Sequence, residues 1–290
     1  MAASVGGLGV IRRAVQGDAV AIEQFLKAHA ATSMFLRGNL ASHGTCEESH
    51  PHGTTFFLNE QSGSIRAVAG ITNAGQLMCQ APTAPQQFFD DVAAALHNRS
   101  TIGMTGEPSQ VTSLLTALGC NEASFSLRDK DPLYELALTS LKPPLLTDAN
   151  LRPPALSDAT MLANWFVGYY ADTGMPLRGL PDVLAGQFIA HPDARLLEVD
   201  GDVVAMSALN ARAPDMVQIG GVYVPPHRRG AGYGGEIVAQ HLLSLRGQGI
   251  EAAILFAATP FAARAYEAIG FRHIGAYEVA LLKQPWRIGA

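Results

Sequence analysis

Cysteine is scarce. Cys46, Cys79 and Cys120 are the only three in 290 residues, all in the first half and without CxxC spacing, so neither a disulfide framework nor a structural zinc site is expected. Positive charge is not in excess either. Twenty Lys and Arg against 25 Asp and Glu give a net charge of -5, which argues against the basic stripe that phosphate-backbone binding needs, and no nucleic-acid partner is expected. No apolar run approaches the roughly 18 residues of a membrane-spanning helix. The opening "MAASVGGLGVIRRAV" places its arginines after its apolar run, the reverse of a secretory signal. A soluble chain in a reducing, cytoplasmic setting, without membrane contact, is expected.

What is present suits a folded chain: 48% of residues are hydrophobic and only 16% charged, and the length accommodates two ordinary domains. The stretch "TSLKPPLLTDANLRPP" carries four prolines and no apolar period, which reads as a linker between about Leu141 and Pro154. On either side the same order of elements recurs. In the first half, "VIRRAV" from Val10 reads as a strand and Asp18 as the cap of a helix. A second helix, a meander of short strands ("TTFFLN", "SIRAVAGIT", "QLMCQA"), two further helices and the closing strand "PLYELAL" follow. In the second half, Ser157 is the expected cap of a helix "SDATMLANWFVGYYADTG". The meander is "ARLLEV", "VVAMSALNA" and "MVQIGGVYV", followed by a helix from Tyr233, the strand "AAILF", a helix ending at Gly270 and a last strand. The fold class expected is α/β, an α+β mixed and mostly antiparallel sheet flanked by helices, occurring twice over residues 1–145 and 146–290.

One segment, "VYVPPHRRGAGYGG" (Val222–Gly235), leads from a strand through two prolines and two arginines into glycines. Gly230, Gly232 and Gly235 satisfy G-x-G-x-x-G, the dinucleotide pattern. "PPHRR" separates them from the strand, however, and Glu251 opens the next strand instead of closing it, so the context disfavours a nicotinamide-dependent oxidoreductase. No Lys-Ser or Lys-Thr follows to make a Walker A loop. Arg229, Gly232 and Gly234 fit R-x-x-G-x-G after "YVPP", and "TPFAARAYEAIGF" (Thr259–Phe271) follows one helix and one strand later. These two motifs in this order resemble the GNAT superfamily of N-acetyltransferases.

The resemblance implies an acyl-CoA site. Backbone N–H groups of Arg229, Gly230, Ala231, Gly232, Tyr233, Gly234 and Gly235 would hold the pyrophosphate of acetyl-CoA, aided by the dipole of the helix that begins there. Its arm would run along Val222, Tyr223 and Val224 in a splayed gap between strands, with the Val224 N–H on the thioester carbonyl. Tyr266 occupies the general-acid position and Thr259 stands where an asparagine is common. His227 and Arg228 flank the loop as cations near phosphate. Where several members keep a glutamate as base this chain has Gln218, an amide that takes no proton, which leaves Glu198, Asp215 or a water chain. The activity implied is acetyl or short-acyl transfer from acetyl-CoA to a primary amine, small molecule or peptide, by direct attack in a ternary complex. A non-catalytic acyl-CoA-binding module is the alternative, and the protein would be a monomer or homodimer.

The first half lacks these features. "TAPQQF" replaces the glycine loop and Leu115 falls at the place of Tyr266, so it reads as a degenerate copy in a tandem arrangement similar to mycothiol synthase-like proteins. His43, Cys46, His50 and His52, with Glu47 and Glu48, are metal-ligand types. Their spacing matches no zinc pattern, and no metal is expected.

Overall fold

The computed structural model describes residues 11–120, 124–146, 148–177 and 179–289; Val10, the first residue of the first expected strand, lies outside them. The chain divides into two compact units, one of residues 1–130 with 276–290 and one of residues 131–275. Each is a mixed sheet with helices on both faces.

In the first unit β1 (Ile11–Arg13), β2 (Thr54–Gln61), β3 (Ser64–Thr72) and β4 (Gln76–Gln80) form an antiparallel run. β4 then pairs in parallel with β5 (Ser100–Gly106), which pairs antiparallel with β12 (Arg272–Arg287). Side chains alternate across the sheet. Leu58, Val68 and Met78 meet Ile22 and Leu26 of α1 (Ala19–Lys27) and Leu36 and Leu40 of α2 (Met34–His43) on one face. Phe57, Ala69, Ile71 and Leu77 meet α3 (Gln86–Ala95) and α4 (Pro108–Ala117) on the other.

The second unit repeats the plan. Its order is the later part of β6 (Phe125–Ala137), then β11 (Ala252–Phe256), β10 (Met216–Tyr223), β9 (Asp202–Arg212), β8 (Arg195–Val199) and β7 (Ala149–Arg152), with only β10–β11 parallel. Ala205 and Leu209 of β9 and Val217 and Ile219 of β10 share a core with Ile237, Val238 and Leu242 of α7 (Tyr233–Ser244). On the opposite face Met206, Ala208 and Tyr223 pack with Leu162, Trp165 and Phe166 of α5 (Ala159–Thr173) and Leu184 and Phe188 of α6 (Pro181–Ala190). Burial of each such large side chain contributes about 1.5–3 kcal/mol. α8 (Pro260–Ala268) packs on α7, with its Tyr266 and the Ile269 that follows it in the same core.

A local device occurs in both units and corrects three expectations. The Arg12 guanidinium binds Asp18 through two bonds of 2.7 and 2.8 Å and Glu60 through bonds of 3.1 and 2.6 Å. In the other unit Arg152 binds Asp158 at 2.8 and 2.9 Å and Glu198 at 2.9 Å. Asp18 also accepts the Val15 N–H and Asp158 the Ala155 N–H, each at 2.7 Å. Asp18 therefore does not cap α1, because its carboxylate is turned back on the preceding turn. Ser157 does not cap α5, because a single turn, Leu156–Asp158, precedes the helix and Asp158 holds it. The proline-rich stretch read as a linker contains β7, whose Arg152 supplies the brace. Its prolines at 153 and 154 follow the strand and leave its four residues free to pair with β8.

Candidate functional site

β10 carries the geometry on which the site is built. Its parallel ladder to β11 runs from Met216–Ala252 to Gln218–Ile254 and stops, although β10 continues to Tyr223 and β11 to Phe256. On its other edge β10 stays paired with β9, through register shifts after Gln218 and between Gly220 and Tyr223. The strands thus part beyond Gln218, and Ile219–Tyr223 face the opening without a β11 partner. Main-chain groups in such a gap are available to an extended ligand that pairs like a strand.

The loop beyond β10 leads directly to the N-terminus of α7. Gly230 and Gly232 adopt φ of 88° and 82°, conformations that a Cβ would strain, and residues 229–232 are exposed. No side chain caps α7. Its first acidic residue, Glu236, is turned away, accepting from the Leu145 N–H at 2.9 Å and from Gln240 at 2.8 Å. The first-turn amides of α7 therefore meet no side-chain carboxylate among the described residues, and an anion is favoured there by their N–H groups and the helix dipole.

The two arginines of the loop are engaged within the unit. Arg229 donates through Nε to the Val224 carbonyl at 2.9 Å, ion-pairs with Asp172 at the end of α5, and lies 5.8 Å from the Tyr223 ring centroid. Arg228 pairs with Asp202. Arg229 thus braces the loop against α5, leaving the backbone as the loop's exposed donor surface. Tyr223 is held between Trp165 and Tyr169, with ring centroids 5.8 and 6.5 Å away. A Cβ at Gly168 would stand 2.1 Å from the Tyr223 hydroxyl, so α5 can approach β10 only because residue 168 has no side chain.

Tyr266 is buried on α8 against Phe271, and burial, with Tyr169 nearby, raises its pKa. Its phenol is protonated at neutral pH, the state a proton donor needs. Thr259 caps α8 by accepting the Ala262 N–H at 3.2 Å. Val222 and Val224 pack their side chains on the α7 core. Glu198 is held in the Arg152 brace. Asp215 lies before the first residue of β10, about 30 Å of extended chain from Val224. Gln218 is 1% exposed, and neither its Oε1 nor its Nε2 has a hydrogen-bond partner among the described residues. The sequence marked Gln218 only as a departure; its orphaned amide is visible in the fold alone.

The corresponding place in the first unit is closed by its own side chains. The β4–β5 ladder also ends early, at Met78–Thr105, but Gln110 of α4 puts Oε1 2.6 Å from the Ala81 N–H. Ala81 follows β4 as Val224 follows β10. α8 carries Ala262 where α4, counted from its cap, carries Gln110. Gln80 likewise accepts from Thr32 at 2.8 Å and Ser33 at 3.0 Å, and Leu115 is buried. In the histidine-rich loop His43 stacks on His50 at 4.1 Å, and among the described residues no group of three or more His, Cys, Asp or Glu could hold a metal ion. The three cysteines are free thiols, and no described helix is long and apolar enough to cross a membrane.

Residues 199–280 match the family model described as FR47-like protein. No curated protein matches the chain. Among solved structures, a Drosophila protein of structural-genomics origin aligns with TM-score 0.62 at 13% identity, over 94% of this chain and 99% of that one. A GCN5-related N-acetyltransferase from Kribbella flavida aligns at 0.54 and 17%, over 89% and 95%. An acetyltransferase of the GNAT family from Colwellia psychrerythraea aligns at 0.51 and 13%, over 94% and 100%. With its mixed sheets, its flanking helices and its parted strands, the chain has the fold of the GCN5-related N-acetyltransferases.

Proposed function

We propose that the protein is an acyl-CoA-dependent N-acyltransferase, taking acetyl-CoA or a short-acyl homologue as donor and a primary amine as acceptor, and working within residues 146–290 of a tandem GNAT arrangement whose first copy, residues 1–145, is degenerate. The observation that carries this reading is the parting of β10 from β11 beside the uncapped N-terminus of α7. An extended arm and a pyrophosphate on one ligand need those two features together. Backbone N–H groups from Gly230 to Gly235 hold the pyrophosphate, Val222–Val224 pair with the arm, and the Val224 N–H stabilises the charge that develops on the carbonyl oxygen, an effect of about 3 kcal/mol for a well-placed donor. Acetyl-CoA supplies an acyl group activated as a thioester. Tyr266 returns a proton to the departing sulfur.

A second reading, a non-catalytic acyl-CoA-binding module, is favoured by Gln218 in place of a carboxylate. Thiol release with a panel of amines separates the two. An enzyme releases CoA in proportion to acceptor, and a binding module releases none. Tyr266→Phe is expected to slow turnover by about 100-fold while acetyl-CoA affinity stays within a factor of two or so; an undiminished rate removes Tyr266 from the acid role.

A further inference from the structure

Gln218 is the most informative polar side chain that the reading above leaves unused. It sits at the last rung of the β10–β11 ladder, where the strands begin to part. Val217 and Ile219 on either side belong to the α7 core, so alternation turns Gln218 to the opposite face, the one covered by α5 and α6. Beside it, Asn210 is the residue skipped in the β9–β10 register, and its amide lies over Gly220, at the place a Cβ would fill. Burying a primary amide with no partner carries the desolvation cost of each of its polar groups without return. The first unit avoids that cost, because its buried Gln80 and Gln110 both have partners. An amide left unsatisfied at the apex of an open gap is matched by a ligand that offers both a donor and an acceptor.

Building on the acyl-transfer reading, we infer that the acceptor is an N-terminal α-amino group of a peptide or α-amino amide, bound by the Gln218 amide, with the amine N–H donating to Oε1 and the neighbouring carbonyl oxygen accepting from Nε2. Two arguments converge on this class. An α-amino group and its carbonyl present a donor and an acceptor at the spacing of a side-chain amide. An amide also cannot remove a proton, so the amine must arrive neutral. With ordinary pKa values of about 7.8 for a peptide α-amino group and 10.4 for lysine, about 14% of the first and about 0.04% of the second is neutral at pH 7, a gap of roughly 300-fold. The carboxylates weighed as bases do not close that gap: Glu198 is braced by Arg152 and Asp215 precedes the far end of β10. In the reaction the amine lone pair forms the C–N bond, the C–S bond breaks, and the proton lost from nitrogen ends on sulfur, giving amide and free CoA thiol.

The test uses the full chain, acetyl-CoA and two peptides of one sequence, one with a free N-terminus and no lysine, the other N-terminally blocked with a single lysine. At pH 7 the free N-terminus should be acetylated at least 30-fold faster per unit kcat/KM. Gln218→Ala and the volume-preserving Gln218→Met should each raise KM for it at least 10-fold while acetyl-CoA affinity, measured by calorimetry, stays unchanged. Gln218→Glu, which restores a proton acceptor, should narrow the gap between the peptides. Equal or better use of the lysine peptide overturns the inference alone, as does an unchanged KM in both neutral variants. Failure of the wild-type chain to bind acetyl-CoA overturns the acyl-transfer reading and this inference with it.

Discussion

At the scale of single residues, polar groups in the second unit separate into those the fold satisfies and those it leaves open. His241 is wholly buried on α7, hydrogen-bonded through Nδ1 to Ser207 at 2.9 Å, with Nε2 unpartnered among the described residues. Burial, with Arg195 and His191 adding to it, lowers its pKa from 6.5 to about 3. The folded protein thus binds fewer protons at this site than the unfolded chain between those two values. The stability it contributes is fully present above pH 6.5 and is lost as pH falls, by about 1.4 kcal/mol per unit. Melting temperature measured from pH 7 to pH 4 should fall accordingly, and His241→Gln should flatten that dependence. An equally steep fall in the variant would place the titrating group elsewhere. Gln218 differs from His241 in standing where strands part.

At the scale of elements, strand β7 and the braces explain what pattern reading saw and missed. β3 and β11 occupy the spans that alternation and apolar runs assign to them, because β3 sends Val68 into one core and Ala69 and Ile71 into another, and β11 buries Ala253, Ile254 and Leu255. The prolines on either side of β7 mask it in the sequence. The repeated Arg-x5-Asp, Arg12 to Asp18 and Arg152 to Asp158, is a local signal in the sequence that both units share. The partners that complete it, Glu60 and Glu198, are 48 and 46 residues away from their arginines and are legible only in three dimensions. If Glu198 serves the brace and not the chemistry, Glu198→Gln lowers stability by about 1 kcal/mol and leaves the pH profile of kcat/KM unchanged; loss of the acidic limb, which reports a general base, would return it to the base role. The approach of α5 to β10 gives a second test. Gly168→Ala should destabilise by about 1–3 kcal/mol and displace Tyr223, read as altered tyrosine fluorescence or hydrogen exchange in β10. A neutral substitution would mean the two elements have slack.

At the scale of the whole molecule, one plan is used twice and left open once. The order of elements in the sequence predicts a mixed α/β sheet flanked by helices, which is the architecture observed, and two glycine-bearing motifs make Val222–Gly235 the candidate site. Neither reveals how the first unit is closed. The plug depends on Gln110 reaching Ala81 across 29 residues, and no periodicity encodes that contact. The parting of β10 from β11 is equally non-local, since it depends on where a parallel ladder ends. The proposed function requires one acyl-CoA site per chain, formed by the loop that opens α7. Titration calorimetry with acetyl-CoA on the full chain and on Gly232→Val is the decisive measurement. One binding event per chain, weakened at least 10-fold in the variant, and no heat with NADH are expected; NADH binding without acetyl-CoA binding, or acetyl-CoA binding that Gly232→Val leaves intact, would overturn the proposal.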